Sequence, residues 1–427
     1  MKVLLMSIGT RGDCEPFLGV GGLLRERGVD VVCAFPEQYR ALAEDAGFAF
    51  RSLGAEFLDL LHSEAGRLAM GSGKGGLEKL RATLAVSRRA IPIQEGMIDL
   101  QHEIVTEVEP DVIVFHSKVT YPVPWSLATG GRIVLLSTVP CLFHEVAGRP
   151  NVGISVNLGP LNPLTYRLVT FATSMAVRTA AKRYFPRQFT RRRIGQELLR
   201  MPIAYGVSTA LFPRPSDWPA NAIVAGFQER DQASGFIPEP ALAEFLAAHD
   251  KVLFVTFGSM VNSDPAGKTA LFARVLAGLG IPAVVNTSGG GFAVPDGFDR
   301  SMLYFTDSVP YDWAFPRMYA VVHHGGAGTT HSALRAGCAT MAVPHAADQP
   351  LWDDLIAASG AGPHGIPVAK LREDVLTDRL RDLFTNPGYR AAAERIAAEM
   401  AREDHADELF RFITGDADAS PGAPSAR

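Results

Sequence analysis

Cysteine is scarce. Cys14, Cys33, Cys141 and Cys338 stand far apart in a chain of 427 residues, and no CxxC pair occurs. That spacing excludes a zinc ribbon and a disulfide framework, and it fits a reducing, cytoplasmic compartment. Positive charge is not in excess: 41 Lys and Arg face 45 Asp and Glu, for a formal net charge of −4. A general nucleic-acid binder carries a basic surplus, so that class is set aside. Long apolar runs are missing too. The uncharged stretch LVTFATSMAV, from Leu168 to Val177, falls well short of the about 20 residues that span a bilayer. The opening MKVLLMSIGTRGD meets Arg11 and Asp13 too early for a signal peptide and reads as a first strand.

What the chain does have is alternation. Its hydrophobic fraction of 47% over this length is enough for two sizeable cores. KVLLMSIGT (from Lys2) and KVLFVTFGS (from Lys251) share one design: a Lys, an apolar run, then Gly and a hydroxyl residue. Such runs suit strands buried on both faces of a parallel sheet. PFLGVGGLLRERG reads as a helix stopped by Gly28, followed by the strand VDVVCAF; DVIVFHS and RIVLLST follow later. In the second half LFARVLAGLG leads to IPAVVNTS, SMLYFT, YAVVHH and TMAVPH. The pattern predicts an α/β protein of two doubly wound, Rossmann-like domains, with the ligand in the cleft between them. The expected boundaries are 1–210, a Pro-rich linker at 211–226 and a second domain at 227–400. A C-terminal helix at 401–414, able to cross back to the first domain, and a disordered tail at 415–427 complete the chain. Asp416 and Asp418 form a DxD, but in this small, polar tail the pattern carries no metal reading.

The densest motif is HHGGAGTTHSALRAG, His323 to Gly337. It follows a strand and opens a helix, so free backbone N–H groups and the helix dipole would attract an anion. His324 can add an imidazole N–H, and Thr329 and Thr330 hydroxyls. Neither standard phosphate fingerprint is met. No Lys follows the glycines as in a P-loop, and His331 stands where a third dinucleotide glycine belongs. The first turn fails as well, and Gly19 and Gly21 lie inside the first helix as packing residues. A diphosphate held without Lys or metal fits. After the next strand comes AADQP, with Asp348 and Gln349 at a neighbouring strand end. A carboxylate beside an amide suits adjacent sugar hydroxyls; the alternative is a helix N-cap by Asp348.

These residues resemble family 1 glycosyltransferases of the GT-B fold. The resemblance runs through VPYDWAFPRMYAVVHHGGAGTTHSALRAGCATMAVPHAADQP, SIGTRGDCEPFLGVGGLL and PRPSDWPANAIVAGF, nearly the whole chain in order. DWAFP and DWP are closest to the sterol and terpenoid glucosyltransferase branch, and antibiotic-aglycone transferases share much of the rest. The resemblance implies an inverting, metal-independent enzyme without a cofactor. It would move a sugar, glucose from UDP-glucose first, from a nucleotide-sugar co-substrate to a hydroxyl of a lipophilic sterol, terpenoid or polyketide. It implies that His324, Gly326, Gly328, Thr329, Thr330 and Ser259 hold the diphosphate, that the backbone at Val309 reads the base, and that Asp348 and Gln349 grip the sugar.

For the base the resemblance points to Asp13 in GTRGDCEP, where plant members carry a His. An unperturbed Asp is a weak base, so burial in the cleft is expected to raise its pKa; capping of the next helix is the other reading. His116, at the end of DVIVFHS, either pairs with Asp13 or is a hydrogen-bonded wall residue. Plant members place a ribose-binding Glu eight residues after the motif His, and here Ser332 stands there, which leaves UDP and dTDP donors open. Acceptor choice is expected from Phe57 to Ile93 and Phe143 to Phe171. The basic run RTAAKRYFPRQFTRRR, from Arg178, is either a weak contact with an anionic membrane surface or a solvated helix face. Two Rossmann-like halves alone would also allow an NAD-linked oxidoreductase, but its fingerprint is missing in both.

Overall fold

The computed structural model describes residues 1–63, 76–154, 156–186, 188–260, 262 and 264–415. The tail from Asp416, with its DxD, and part of the expected acceptor stretch Phe57–Ile93 lie outside the described residues.

Two parallel sheets form. In the first, β1 (Lys2–Met6), β2 (Asp30–Phe35), β3 (Ala49–Ser52), β4 (Val112–Phe115), β5 (Arg132–Ser137), β6 (Ile203–Tyr205) and β7 (Ala222–Val224) lie in the order β3-β2-β1-β4-β5-β6-β7. In the second, β8 (Leu253–Thr256), β9 (Ala283–Asn286), β10 (Leu303–Thr306), β11 (Ala320–His323) and β12 (Ala339–Ala342) lie in the order β10-β9-β8-β11-β12. Every pairing is parallel. Strand β1 shows why the apolar runs are unbroken: Leu4 and Met6 enter the core on one face, Val3 and Leu5 the core on the other. Strand β8 does the same in the second domain with Leu253 and Val255 against Phe254.

In both sheets the order reverses beside the first strand, between β1 and β4 and between β8 and β11. Crossovers leave on opposite faces there, and a crevice opens at the carboxyl ends. The turns at these two points carry SIGTRGD and HSK in the first domain, FGS and HGG in the second. The topology therefore brings the chemistry-bearing motifs together.

The stretch 211–226 is more than the linker expected of it, since β7 within it extends the first sheet. Strand β7 has only three residues, too few for a periodic signal, and all are buried. Trp218 packs 4.6 Å from the Tyr205 ring, and Arg214 donates to the carbonyls of Trp218 and Ala222 at 2.6 and 2.9 Å. After Gly226 the chain presses on α1 (Arg11–Glu26). A Cβ on Gly19 would stand 2.6 Å from the Gln228 carbonyl oxygen, so only glycine allows that approach. Arg230 donates to Glu15 at 2.8 Å and Arg11 to Gln232 at 3.1 Å, tying the two domains at this seam. The last described helix, Ala406–Thr414, lays Leu409 and Ile413 into the core of the first sheet. Among the described residues no helix is long and apolar enough to cross a membrane.

Candidate active site

The motif at His323 folds as a strand end, a glycine turn and helix α2 (Ala327–Arg335), with Gly326 at the N-cap. The cap has no side-chain oxygen, so the first amides of α2, at Ala327, Gly328 and Thr329, face outward as donors. Thr330 is different. Its hydroxyl and its amide both donate to the Gly326 carbonyl, at 2.9 and 3.0 Å, and the residue is fully buried. This corrects the expectation that Thr330 grips the diphosphate directly: its donors are spent on closing the helix.

His324 is wedged between two glycines. A Cβ on Gly326 would lie 2.3 Å from its Nε2, and a Cβ on Gly258 2.8 Å from its Cε1. The two glycines thus make room for the ring, and Gly258 sets the FGS turn with Ser259 beside it. Burial, with His323 and His345 nearby, drives the His324 pKa well below its ordinary value, so the imidazole is neutral. Its Nδ1 is shut from solvent without a partner. His323 accepts the Gly325 amide on Nδ1 at 2.9 Å and stays neutral, its pKa lowered by burial to about 3. His331 is structural: Nδ1 bonds the Ala327 carbonyl at 2.7 Å, Nε2 accepts the Ser208 amide at 3.1 Å, and the ring stacks on Phe227.

Next to this turn, Gly325 packs against the backbone of Gln349. Asp348 and Gln349 open helix α3 (Gln349–Ser359). Asp348 occupies the N-cap position, yet its side chain caps no helix amide; Oδ2 accepts the Trp352 indole N–H at 2.8 Å. The Gln349 side-chain Oε1 accepts the backbone amides of His345 and Ala346 at 2.6 and 3.1 Å, which turns its NH2 group to other partners. Ala347 just before them has φ +56°, a left-handed strain for a non-glycine residue. Val309 buries its side chain in the core below this sheet, leaving only its backbone for recognition.

In the first domain, Asp13 sits at the third position of α1. Its Oδ2 accepts the Thr10 amide at 2.7 Å, completing a capping box. Its Oδ1 faces the Lys118 ammonium at 2.9 Å and His116 Nε2 at 3.4 Å. The capping reading and the charged-cluster reading are therefore both true of one side chain. Burial pushes the Asp13 pKa up, but Lys118, His116 and the Thr10 amide outweigh it, and the net shift is downward. This corrects the expected rise: a cation at hydrogen-bond distance dominates desolvation. His116 accepts the Lys118 amide on Nδ1, which leaves Nε2–H toward Asp13, and burial lowers its pKa to about 4. Helices α1 and α2 touch, which sets the two motifs against one another across the cleft, and Asp348 feels the charges of Asp13 and Lys118.

Two residues in this geometry were not singled out by the sequence. Lys118 lies only two positions beyond His116, and its place at the β4 end was the available signal. Glu229 carried no local signal. It reaches in from the interdomain seam, accepts the Ser332 hydroxyl, and stands 3.4 Å from Arg335. Beside the cleft a cavity of about 770 Å³ opens between the loop at Ala147–Asn157 and α3, with Val152, Ile154, Pro350 and Leu351 on its walls.

Residues 3–117 match the glycosyltransferase family 28 N-terminal domain. Residues 293–413 match the C-terminal domain typified by erythromycin biosynthesis protein CIII. The chain is a relative of the GT-B glycosyltransferases. A sterol 3-beta-glucosyltransferase of Arabidopsis thaliana is 28% identical over 423 residues, covering 95% of this chain and 64% of that protein. The chain thus spans less than two thirds of the length of this plant relative. The O-mycaminosyltylonolide 6-deoxyallosyltransferase of Streptomyces fradiae is 28% identical over 427 residues, 94% of both chains. The solved glycotransferase of kitacinnamycin superposes with a TM-score of 0.69 at 16% identity, over 96% of this chain and 99% of that one. VinC in complex with dTDP gives 0.66 at 19%, over 97% and 100%. At such identities the two structures speak for the GT-B fold, which the paired parallel sheets display.

Proposed function

We propose that this GT-B chain transfers a sugar from a nucleoside diphosphate sugar, UDP-glucose first, to a hydroxyl of a lipophilic small molecule. The observation that carries the reading is the pairing across the cleft: outward amides of α2 and neutral His324 on one wall, Asp13 with Lys118 on the other. The acceptor oxygen attacks the anomeric carbon from the Asp13 side, its proton passes to Asp13, and the bond from that carbon to the diphosphate oxygen breaks. The configuration inverts. Charge growing on the diphosphate meets the amides of Ala327 to Thr329, His324 and Ser259, donors fixed before the reaction. Asp348 and the Gln349 NH2 group hold sugar hydroxyls. No metal has a role in this scheme. The low Asp13 pKa makes proton transfer late, once bond formation has acidified the hydroxyl. Lys118 and His116 position the Asp13 carboxylate.

Glu229 supports UDP. Its carboxylate accepts the hydroxyl of Ser332, the position at which the resemblance places a ribose-binding Glu in plant members, so Glu229 is our candidate to take that Glu's part. A second reading, a dTDP-sugar donor and an antibiotic aglycone, is favoured by the Streptomyces relative and by VinC with its dTDP. The cavity beside α3, with one wall from the expected acceptor stretch Phe143–Phe171 and the other from the second domain, is the place we assign to a lipophilic alcohol. A mass-spectrometric screen crossing UDP-glucose, UDP-galactose and dTDP-sugars with sterol, triterpenoid, flavonoid and macrolide acceptors tests both readings. Failure of every donor to bind or react would overturn the transferase assignment.

A further inference from the structure

The helix Asn162–Tyr184 is built inside out. Its buried side holds Asn162, Thr165, Tyr166, Ser174, Ala180 and Ala181, with Val177 the one large aliphatic residue among them. Its exposed side carries Leu161 (just before its start), Leu164, Leu168, Phe171 and Met175, spaced three or four apart and therefore on one stripe. Val156 and Leu158 lead into that stripe. Of twelve large hydrophobic residues exposed among the described residues, these seven fall between 156 and 175, each at least 43% exposed. An amphipathic helix in a monomeric soluble protein faces the other way, so this stripe has a partner.

Charge identifies the partner. The helix contains Arg167, Arg178, Lys182 and Arg183 and no Asp or Glu. From Arg178 to Arg200 the sequence holds eight Lys or Arg and one Glu, in a chain whose net charge is −4. The basic residues adjoin the stripe in space: the Arg191 guanidinium stands 4.4 Å over the Phe171 ring. Arg191, Arg192 and Arg193 are exposed at the start of the helix Arg191–Arg200. A hollow of about 370 Å³ with Arg178, Lys182, Phe185 and Phe189 in its lining closes the stripe's end. A second copy of this chain docking here through a two-fold axis would bring like charges together. An anionic bilayer offers apolar depth to the stripe and phosphates to the cations.

We propose that this face docks on an anionic membrane surface, with the stripe at the headgroup–acyl boundary and the Arg cluster on lipid phosphates. The binding is independent of the reaction, although it would set the mouth of the cavity, whose wall at Ala147–Asn157 runs directly into the stripe, where lipophilic alcohols partition.

The test is flotation of the full chain with vesicles of phosphatidylcholine alone and of phosphatidylcholine with phosphatidylglycerol, without donor or acceptor. The chain should float with the anionic vesicles, lose binding in high salt, and stay below with the neutral ones. Leu168→Glu/Met175→Glu should abolish flotation. Arg191→Ala/Arg192→Ala/Arg193→Ala should weaken it roughly fivefold for each charge removed, with thermal melts unchanged in both. A wild-type chain that ignores anionic vesicles overturns the proposal. So does a wild-type dimer in sedimentation that Leu168→Glu splits into monomers. Because no sugar is transferred in the assay, a failed donor screen leaves this result untouched.

Discussion

The two switch points use one topology and opposite electrostatics. In the first domain the crevice holds a formal ion cluster, Asp13 between Lys118 and His116. In the second, the turn and first helical residues from His323 to Thr330 hold no Lys or Arg, only helix amides and histidines that burial keeps neutral, and Arg335 at the far end of α2 is paired with Glu229. The difference matches the two tasks proposed for these crevices. A proton acceptor needs a stable negative charge, which a neighbouring cation supplies. A site for a departing diphosphate needs donors that do not bind so tightly as to trap the product, and dipoles do this better than a fixed cation would.

The sharpest way to break the comparison is to silence one wall at a time. Asp13→Asn keeps an oxygen for the Thr10 amide but removes the base. Transfer should fall by about 10²- to 10⁴-fold in kcat, while UDP affinity by calorimetry stays as it was. His324→Ala should lower kcat by about 10²- to 10³-fold and weaken UDP binding in the same experiment. If Asp13→Asn weakened UDP binding as much as His324→Ala does, the division of labour between the walls would be wrong.

Lys118 gives a smaller, more diagnostic effect. Asp13 must be ionised to accept a proton, so activity is lost as pH falls through its pKa. Lys118 holds that pKa down against burial. In Lys118→Met burial is less opposed, the pKa rises, and the acid limb of the kcat profile moves to higher pH. Lys118→Arg should keep the wild-type limb. An acid limb that does not move in Lys118→Met would remove Lys118 from its positioning role.

The strand pattern of both halves was legible because strands buried on two faces cannot hide: VLLM in β1 and LFV in β8 are unbroken apolar runs. The pieces that were not legible are short. Strands β6 and β7 have three residues each, too few for a pattern, and β3, AFRS, turns polar at Arg51 and Ser52. The glycine turn after His323 was readable as a strand end opening a helix, because glycines directly after an apolar run and before a helical pattern mark that junction. The pKa direction of Asp13 was not readable, because it depends on Lys118 coming from a different strand end. Thr330 was over-read for a similar reason. Its hydroxyl lies in the motif, but where a helical Thr points is decided by a carbonyl four residues back.

Glu229 marks the limit of reading along the chain, since it reaches α2 from 103 residues away. If it binds ribose, Glu229→Gln should raise KM for UDP-glucose roughly tenfold, the scale of one hydrogen bond to a charged group. KM for dTDP-glucose should change less, because deoxyribose lacks the 2′-hydroxyl. The neutral amide keeps the shape and an acceptor for the Ser332 hydroxyl, so the seam itself is spared. An equal rise with both donors would instead trace to the lost Arg335 partner and a loosened seam. The ratio of the two KM values, rather than either alone, therefore decides whether the second wall reads the sugar of the nucleotide through a residue borrowed from the junction with the first.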